Sequence, residues 1–259
     1  MLSYHNDPRL KELMVCEMRK HQEADQFVKG TYGESGAAGV FKGCSVGCTI
    51  DSVNRILGKS YSPSNHQALE ESVGIPEWLA KLQDTLFEGL PDGEGAQFSV
   101  DFLSAIPVGV NLEPVKWKFC AFLMREGIEK VSALPALDEA LREQVLGAIR
   151  GVLAVHESAI NTGKWDDEAA GAARWAAREA AGAAEAARWG AREAAGAAEA
   201  AARKSALAAA RKSAWAEVWA AGAEAGEATG AEWAAAWAAA YRRYADELIR
   251  LLGGIQGGN

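Results

Sequence analysis

The sequence predicts an all-α fold: a globular multi-helix head followed by a long Ala/Trp-rich helical hairpin or bundle. Three observations lead there. Over the first 160 residues apolar side chains recur at three- and four-residue intervals, the period of a helix. Runs in which polar and β-branched residues alternate, the mark of half-buried strands, do not occur. In the last 99 residues alanine fills 39 positions, and alanine has the highest helix propensity of any residue. The expected domains are an all-α head over 1–160, a helical repeat tail over 161–252 and a flexible Gly-rich end over 253–259.

The first helix starts at Asp7-Pro8, with Asp as cap and Pro at the first helical position. Leu10, Leu13, Met14, Met18, His21 and Ala24 follow on one face. Gly30 to Gly43 holds five glycines and no apolar period, and reads as a loop. The period resumes from Cys44 to Leu57, and Gly58 to Ser64 is a second loop, with Asn65 as a cap. Pro76 opens a helix through Trp78, Leu79, Leu82, Leu86 and Phe87, ended by Gly89-Leu-Pro91. Ser99–Ile106 and Pro114–Met124 read as shorter helices. Pro135 starts a long one, with a stripe from Leu137 through Val145, Ile149 and His156 to Ile160; His156 on that stripe reads as a core histidine.

The chain carries a net charge of -8. The last 99 residues balance 12 Lys and Arg against 13 Asp and Glu, so the acidity belongs to the head. This excludes a nucleic-acid partner that needs a basic face. The N-terminus lacks the basic and apolar regions of a signal peptide, and no uncharged apolar run reaches membrane-spanning length. Cys16, Cys44, Cys48 and Cys120 do not form the spacing of a secreted disulfide framework. A reduced, cytoplasmic protein without a membrane partner is expected.

The tail contains a tandem unit. Residues 173–186 and 187–200 are the same apart from Ala176 against Gly190. One straight helix from 161 to 252 would be about 135 Å long, so breaks are expected, best at 222–229, with Thr229 and Glu232 forming a capping box for the last helix. Trp215, Trp219, Trp233 and Trp237 are spaced 4, 14 and 4, which on a continuous helix confines them to a stripe roughly 40° wide. Large rings on an alanine background suit packing into a neighbouring helix, of the same chain or of a partner.

The most chemical stretch is Lys42-Gly-Cys-Ser-Val-Gly-Cys48, where a glycine-rich loop meets a helix. A thiol at a helix N-terminus is expected to ionise more easily, so Cys44 is the candidate nucleophile, Lys42 adds positive charge and Cys48, one turn on, is a resolving thiol. His66 or His21 would serve as base. The plain alternative is that both cysteines are core side chains. Cys44 and Cys48 together with His66 and Glu70 form two i, i+4 pairs, but the customary zinc spacing is missing, so neither metal nor cofactor is expected. No phosphate-loop or serine-elbow motif occurs.

Lys29-Gly-Thr-Tyr32, the cysteine stretch, Gly74-Ile-Pro-Glu-Trp-Leu79 and Phe87-Glu-Gly-Leu-Pro91 together resemble a family of bacterial and phage-encoded proteins of unassigned activity. These pair a KGC-x-VGC head with an Ala/Trp/Tyr-rich helical tail. The resemblance covers about residues 4–125 and the tail's composition. It implies a bacterial or viral, cytosolic setting and no catalytic residue.

Two functions follow from the residues. The first is a non-enzymatic interaction or assembly protein whose tail self-associates or binds a protein partner through Trp215, Trp219, Trp233 and Trp237. The second is a thiol-dependent hydrolase or transferase acting through Cys44.

Overall fold

The computed structural model describes residues 1–36, 39–134, 137–184, 189–225 and 230–255, and for 189–190, 207 and 217–225 the backbone alone. Among these residues the chain forms eleven α-helices and one two-stranded sheet, so the fold is all-α as expected. Two compact units are present. Unit 1 comprises Met1–Glu113 with Tyr244–Asn259, and unit 2 comprises Pro114–Arg243. The units therefore divide at 113/114 and 243/244, while the change of composition near residue 161 lies inside unit 2.

Unit 1 begins with a short 3-10 turn, Ser3–Asn6. Helix α1 (Pro8–Glu23) follows, capped by the Asp7 side chain, which accepts from the Arg9 backbone N–H. The stretch read as a loop contains a small antiparallel pair, β1 (Glu34–Ser35) and β2 (Phe41–Lys42). Two-residue strands are too short to carry an apolar period, which is why the sequence did not betray them. Then come α2 (Ser45–Leu57), α3 (Gln67–Val73), α4 (Glu77–Gly89) and α5 (Glu94–Ala105). Gly58 and Gly74 end α2 and α3 in the left-handed conformation that suits glycine. Asn65 supplies a backbone carbonyl to the first turn of α3, and His66 stands at its N-cap.

Helix α2 is the centre of the unit and packs against α1, α3, α4, α5 and β2. Val46, Cys48, Ile50 and Val53 of α2 are fully buried, with Met14 and Met18 of α1, Leu69 of α3 and Leu79, Leu82 and Leu86 of α4. The polar residues caught in this core satisfy themselves locally. Thr49 Oγ1 donates to the Ser45 carbonyl (2.7 Å) and Ser52 Oγ to the Cys48 carbonyl (2.9 Å).

Unit 2 contains most of α6 (Glu113–Ala133), then α7 (Glu139–Thr162), α8 (Asp167–Ala184), α9 (Trp189–Ala202), α10 (Ala206–Ala225) and the greater part of α11 (Gly230–Gly253). Pro135 lies outside the described residues. The side chain of Asp138 caps α7 by accepting from Leu141 N–H (3.1 Å). Of the break expected at 222–229, residues 222–225 belong to α10, and 226–229, with the proposed cap Thr229, lie outside the described residues. A further turn at 203–205 carries no glycine; Lys204 adopts φ 60° to make it.

The first copy of the tandem unit lies mainly in α8 and the second mainly in α9. The second is the central one, packed by α7, α8 and α10. Ala191, Ala194, Ala195, Ala197 and Ala198 are buried there, whereas Ala183, the counterpart of Ala197, is exposed.

His156 is a fully buried core histidine, as its place on the α7 stripe suggests. Its Nε2 meets the Ala201 carbonyl of α9 at 3.1 Å, so that nitrogen carries the proton and donates. Burial lowers its pKa to about 4. Between pH 6.5 and 4 the unfolded chain takes up a proton that the folded one refuses, so stability falls as the pH drops through that window. The full loss is about 3 kcal/mol, with roughly 2 kcal/mol of it expressed between pH 7 and 5. Denaturant titrations at the two pH values should show this loss in the wild type and its disappearance from His156→Gln.

Candidate metal centre

The loop before α2 is pinned to the helix by its backbone. Gly43 N–H donates to the Gln26 carbonyl (3.0 Å), Val28 N–H to the Gly43 carbonyl (2.8 Å) and Cys44 N–H to the Thr31 carbonyl (2.9 Å). A Cβ on Gly43 would lie 2.3 Å from the Tyr32 carbonyl oxygen, and one on Gly47 only 1.7 Å from it. No side chain fits at either place, which gives the two glycines of Lys42-Gly-Cys-Ser-Val-Gly-Cys48 a steric role. Between them Cys44 occupies the N-cap of α2, and its Sγ accepts from Gly47 N–H at 3.4 Å.

Asp84 and Glu88, four residues apart on α4, face this thiol. One ligand atom from each of Cys44, Asp84 and Glu88 lies within 4.8 Å of the other two. Both Glu88 oxygens accept from Gly30 N–H at 3.0 Å, so the same loop that clamps Cys44 also orients this carboxylate. Among the described residues no lysine or arginine pairs with Asp84 or Glu88.

His66 approaches from α3. Its Nδ1 lies 3.1 Å from the Ser64 carbonyl, which can only accept, so Nδ1 holds the proton. Its Nε2 is a buried atom without a hydrogen-bond partner, 3.7 Å from Asp84 Oδ2. Asp84 Oδ1 is likewise buried and unpartnered. Buried polar atoms without a partner are unfavourable unless a proton or another cation joins them. The Tyr32 ring packs edge-on against His66 with centroids 5.5 Å apart.

The electrostatics overturn one expectation. The Cys44 thiol is pushed far up from its ordinary value, first by burial and then by the Asp84 charge and a hydrogen bond to that carboxylate; the Gly47 and Val46 backbone N–H groups oppose this and lose. Desolvation outweighs the helix N-terminus. Glu88 is raised by burial, against the pull of Gly30 N–H, and the nearby Asp84 adds to the rise. Tyr32 is raised by burial and by the Asp84, Cys44 and Glu88 charges. This cluster of acids wants positive charge.

Asp84 thus lies near both Cys44 and His66, while His66 falls outside the group formed by Cys44, Asp84 and Glu88. His21 is fully buried in another network: Arg55 donates to its Nε2 (2.9 Å) and Nδ1 is bonded to Gln26. Both ring nitrogens are engaged, so it is no base for Cys44. Cys48 turns its S–H to the Gly43 and Gln26 carbonyls, and burial pushes it up to about 12. Lys42 is exposed on β2. Glu70 accepts from Glu77 N–H at the start of α4 and does not join Cys44, Cys48 and His66 in a ligand set. Asp84 and Glu88 were missed in the sequence because α4 was read by its apolar face; their i, i+4 spacing beside Leu82, Leu86 and Phe87 was the available signal.

Of the tail anchors, Trp215 of α10 and Trp237 of α11 meet edge-to-face at 5.1 Å, and Trp237 packs on Tyr241 at 4.9 Å. They belong to two helices and not to one continuous stripe. Trp233 is half-buried, and the side chain of Trp219 lies outside the described residues. Among the described residues no helix is long and apolar enough to cross a membrane, and all four cysteines are free thiols.

Comparison of the chain with known protein families, with curated proteins and with solved structures finds no match.

Native protein treated with iodoacetamide at pH 7 should be labelled at Cys16, the one exposed thiol, with Cys44, Cys48 and Cys120 protected until denaturant is added. Peptide mass spectrometry reads this directly, and rapid native labelling of Cys44 would contradict the electrostatics described above.

Proposed function

We propose that unit 1 binds one divalent transition-metal ion through Cys44, Asp84 and Glu88 and uses it as a hydrolytic centre. The observation that carries this reading is the convergence of one thiol and two carboxylates within 4.8 Å, beside an imidazole nitrogen that is buried and unpartnered. A mixed sulfur and oxygen set suits a zinc-like ion. A bound cation would reverse the logic of the site, since the Cys44 thiol, raised by burial and Asp84, would bind it as a thiolate. This is also why the site is better suited to a metal than to a free cysteine nucleophile.

Cys44, Asp84 and Glu88 would hold the ion, and the chemistry it would supply is the activation of water for hydrolysis. His66 is the proton acceptor in this scheme. The Ser64 carbonyl lies 3.1 Å from Nδ1, which orients the ring so that Nε2 faces Asp84 at 3.7 Å. Hydrolysis is therefore the reaction class the donor set supports.

Titrating reduced protein with Co²⁺ should give a 1:1 complex with a thiolate-to-cobalt charge-transfer band. Cys44→Ser should abolish the band, Asp84→Asn should weaken binding by roughly 10–100-fold, and Cys16→Ser should change nothing. A band that survives Cys44→Ser would remove the centre. Metal-dependent cleavage of p-nitrophenyl esters, lost in His66→Gln with the cobalt band retained, is the expected sign of hydrolysis.

A second reading keeps the assembly role of unit 2. It is favoured by Trp175 and Trp215, which are 62% and 43% exposed. Large exposed indoles are common anchors of a protein interface. Light scattering should then report a dimer or larger species that Trp175→Ala and Trp215→Ala dissociate; a strict monomer at high protein concentration would end this reading.

A further inference from the structure

A cleft of about 330 Å³ opens in unit 2 between the first turns of α8 and the C-terminal turn of α9. That size is within the range of small-molecule sites. Asp167, Gly171 and Arg174 lie on one face of α8 at i, i+4, i+7 and line it, with Trp165 before them and Arg203 and Lys204 opposite. A Cβ built on Gly171 touches nothing within 4 Å, so the floor is open space.

Three cations line this cleft against one carboxylate. Arg203 is held by Glu199 (2.5 Å), and Lys204 Nζ sits 3.2 Å from Asp167 and 4.9 Å from the centre of the Trp165 ring. Arg174 makes no hydrogen bond or ion pair among the described residues. The Trp165 ring also packs against the buried His156, with centroids 5.0 Å apart. Recognition in the cleft is therefore by charge.

Lys204 is the informative residue. It makes the turn after α9 with φ 60°, the left-handed position where helices place glycine, and its N–H donates to the Ala201 carbonyl. A lysine there is conformationally less favourable than a glycine. Its pair with Asp167 is largely exposed, 40% and 88%, and exposed pairs contribute little stability. What Lys204 adds and glycine would not is a cation at the mouth of the cleft.

We propose that this cleft binds a small phosphorylated molecule, its phosphate held by Arg174, Arg203 and Lys204. Guanidinium groups fork onto phosphate oxygens, and an ammonium supplies a point charge beside them. The proposal does not depend on the metal centre, which lies in the other unit and shares no residue with it.

Pyrophosphate is the probe, titrated at low ionic strength with tryptophan fluorescence and calorimetry as readouts. Saturable binding is expected, with a fluorescence change lost in Trp165→Phe. Arg174→Ala and Lys204→Gly should each weaken binding by roughly tenfold or more. Lys204→Gly is the decisive variant, because glycine suits the turn: the melting temperature should hold or rise while affinity falls. A Lys204→Gly protein that is stable and binds pyrophosphate as the wild type does would overturn the proposal. So would the absence of saturable binding up to about 10 mM.

Discussion

The close approach of the Tyr32 carbonyl to the first turn of α2 is the constraint on which unit 1 depends. A Cβ at Gly43 or Gly47 would collide with that backbone, so the loop can seat only on glycines. Once seated, the loop caps the site from one side: Thr31 receives the Cys44 N–H and Gly30 donates to Glu88. Behind it, Gln83 is fully buried on α4 and donates to Ser45 Oγ at 2.6 Å, tying α4 to α2 one residue away from both Cys44 and Asp84. The donor atoms converge because backbone contacts and a buried side chain fix three helices and a loop with little freedom left.

Such rigidity explains why a chemically uncomfortable arrangement persists. A buried thiol beside two carboxylates is disfavoured in its ionised form, and the pull of Lys29 on Glu88 does not offset the burial of that carboxylate. Folded proteins tolerate local conflicts of this kind where the surrounding packing over-determines the geometry, and they concentrate at functional sites. The core of α2 and α4, with Ile50, Leu82 and Leu86 fully buried, supplies that packing.

How much of this was legible in the chain depends on which physical signal each feature leaves. Helical periodicity marked α1, α2, α4 and α7, because burying one face demands it. The Cys44 turn and His66 were legible as a glycine-flanked thiol at a helix start and a histidine at the next one. Asp84 and Glu88 were not, since a carboxylate on a helix looks solvent-facing until the neighbouring element is known. The direction of the Cys44 shift was misjudged for a related reason: the helix dipole is a local property, whereas burial and Asp84 are tertiary ones. The unit boundary at 113/114 leaves no compositional trace, and the turn at Lys204 lacks the glycine that would have announced it.

The tandem unit of unit 2 has a consequence for how this bundle tolerates change in length. Two nearly identical 14-residue stretches fold as an outer helix and a central one, with Ala177, Ala180 and Ala184 buried in α8 and their counterparts Ala191, Ala194 and Ala198 buried in α9. Small side chains at these positions specify close approach but scarcely distinguish one neighbour from another. Fourteen residues also make nearly four whole turns, about 21 Å of helix, and return the apolar face to within roughly 40°. A chain built this way can gain or lose a unit by duplication or deletion and still offer its neighbours a compatible alanine surface, so copy number is a variable its packing can absorb.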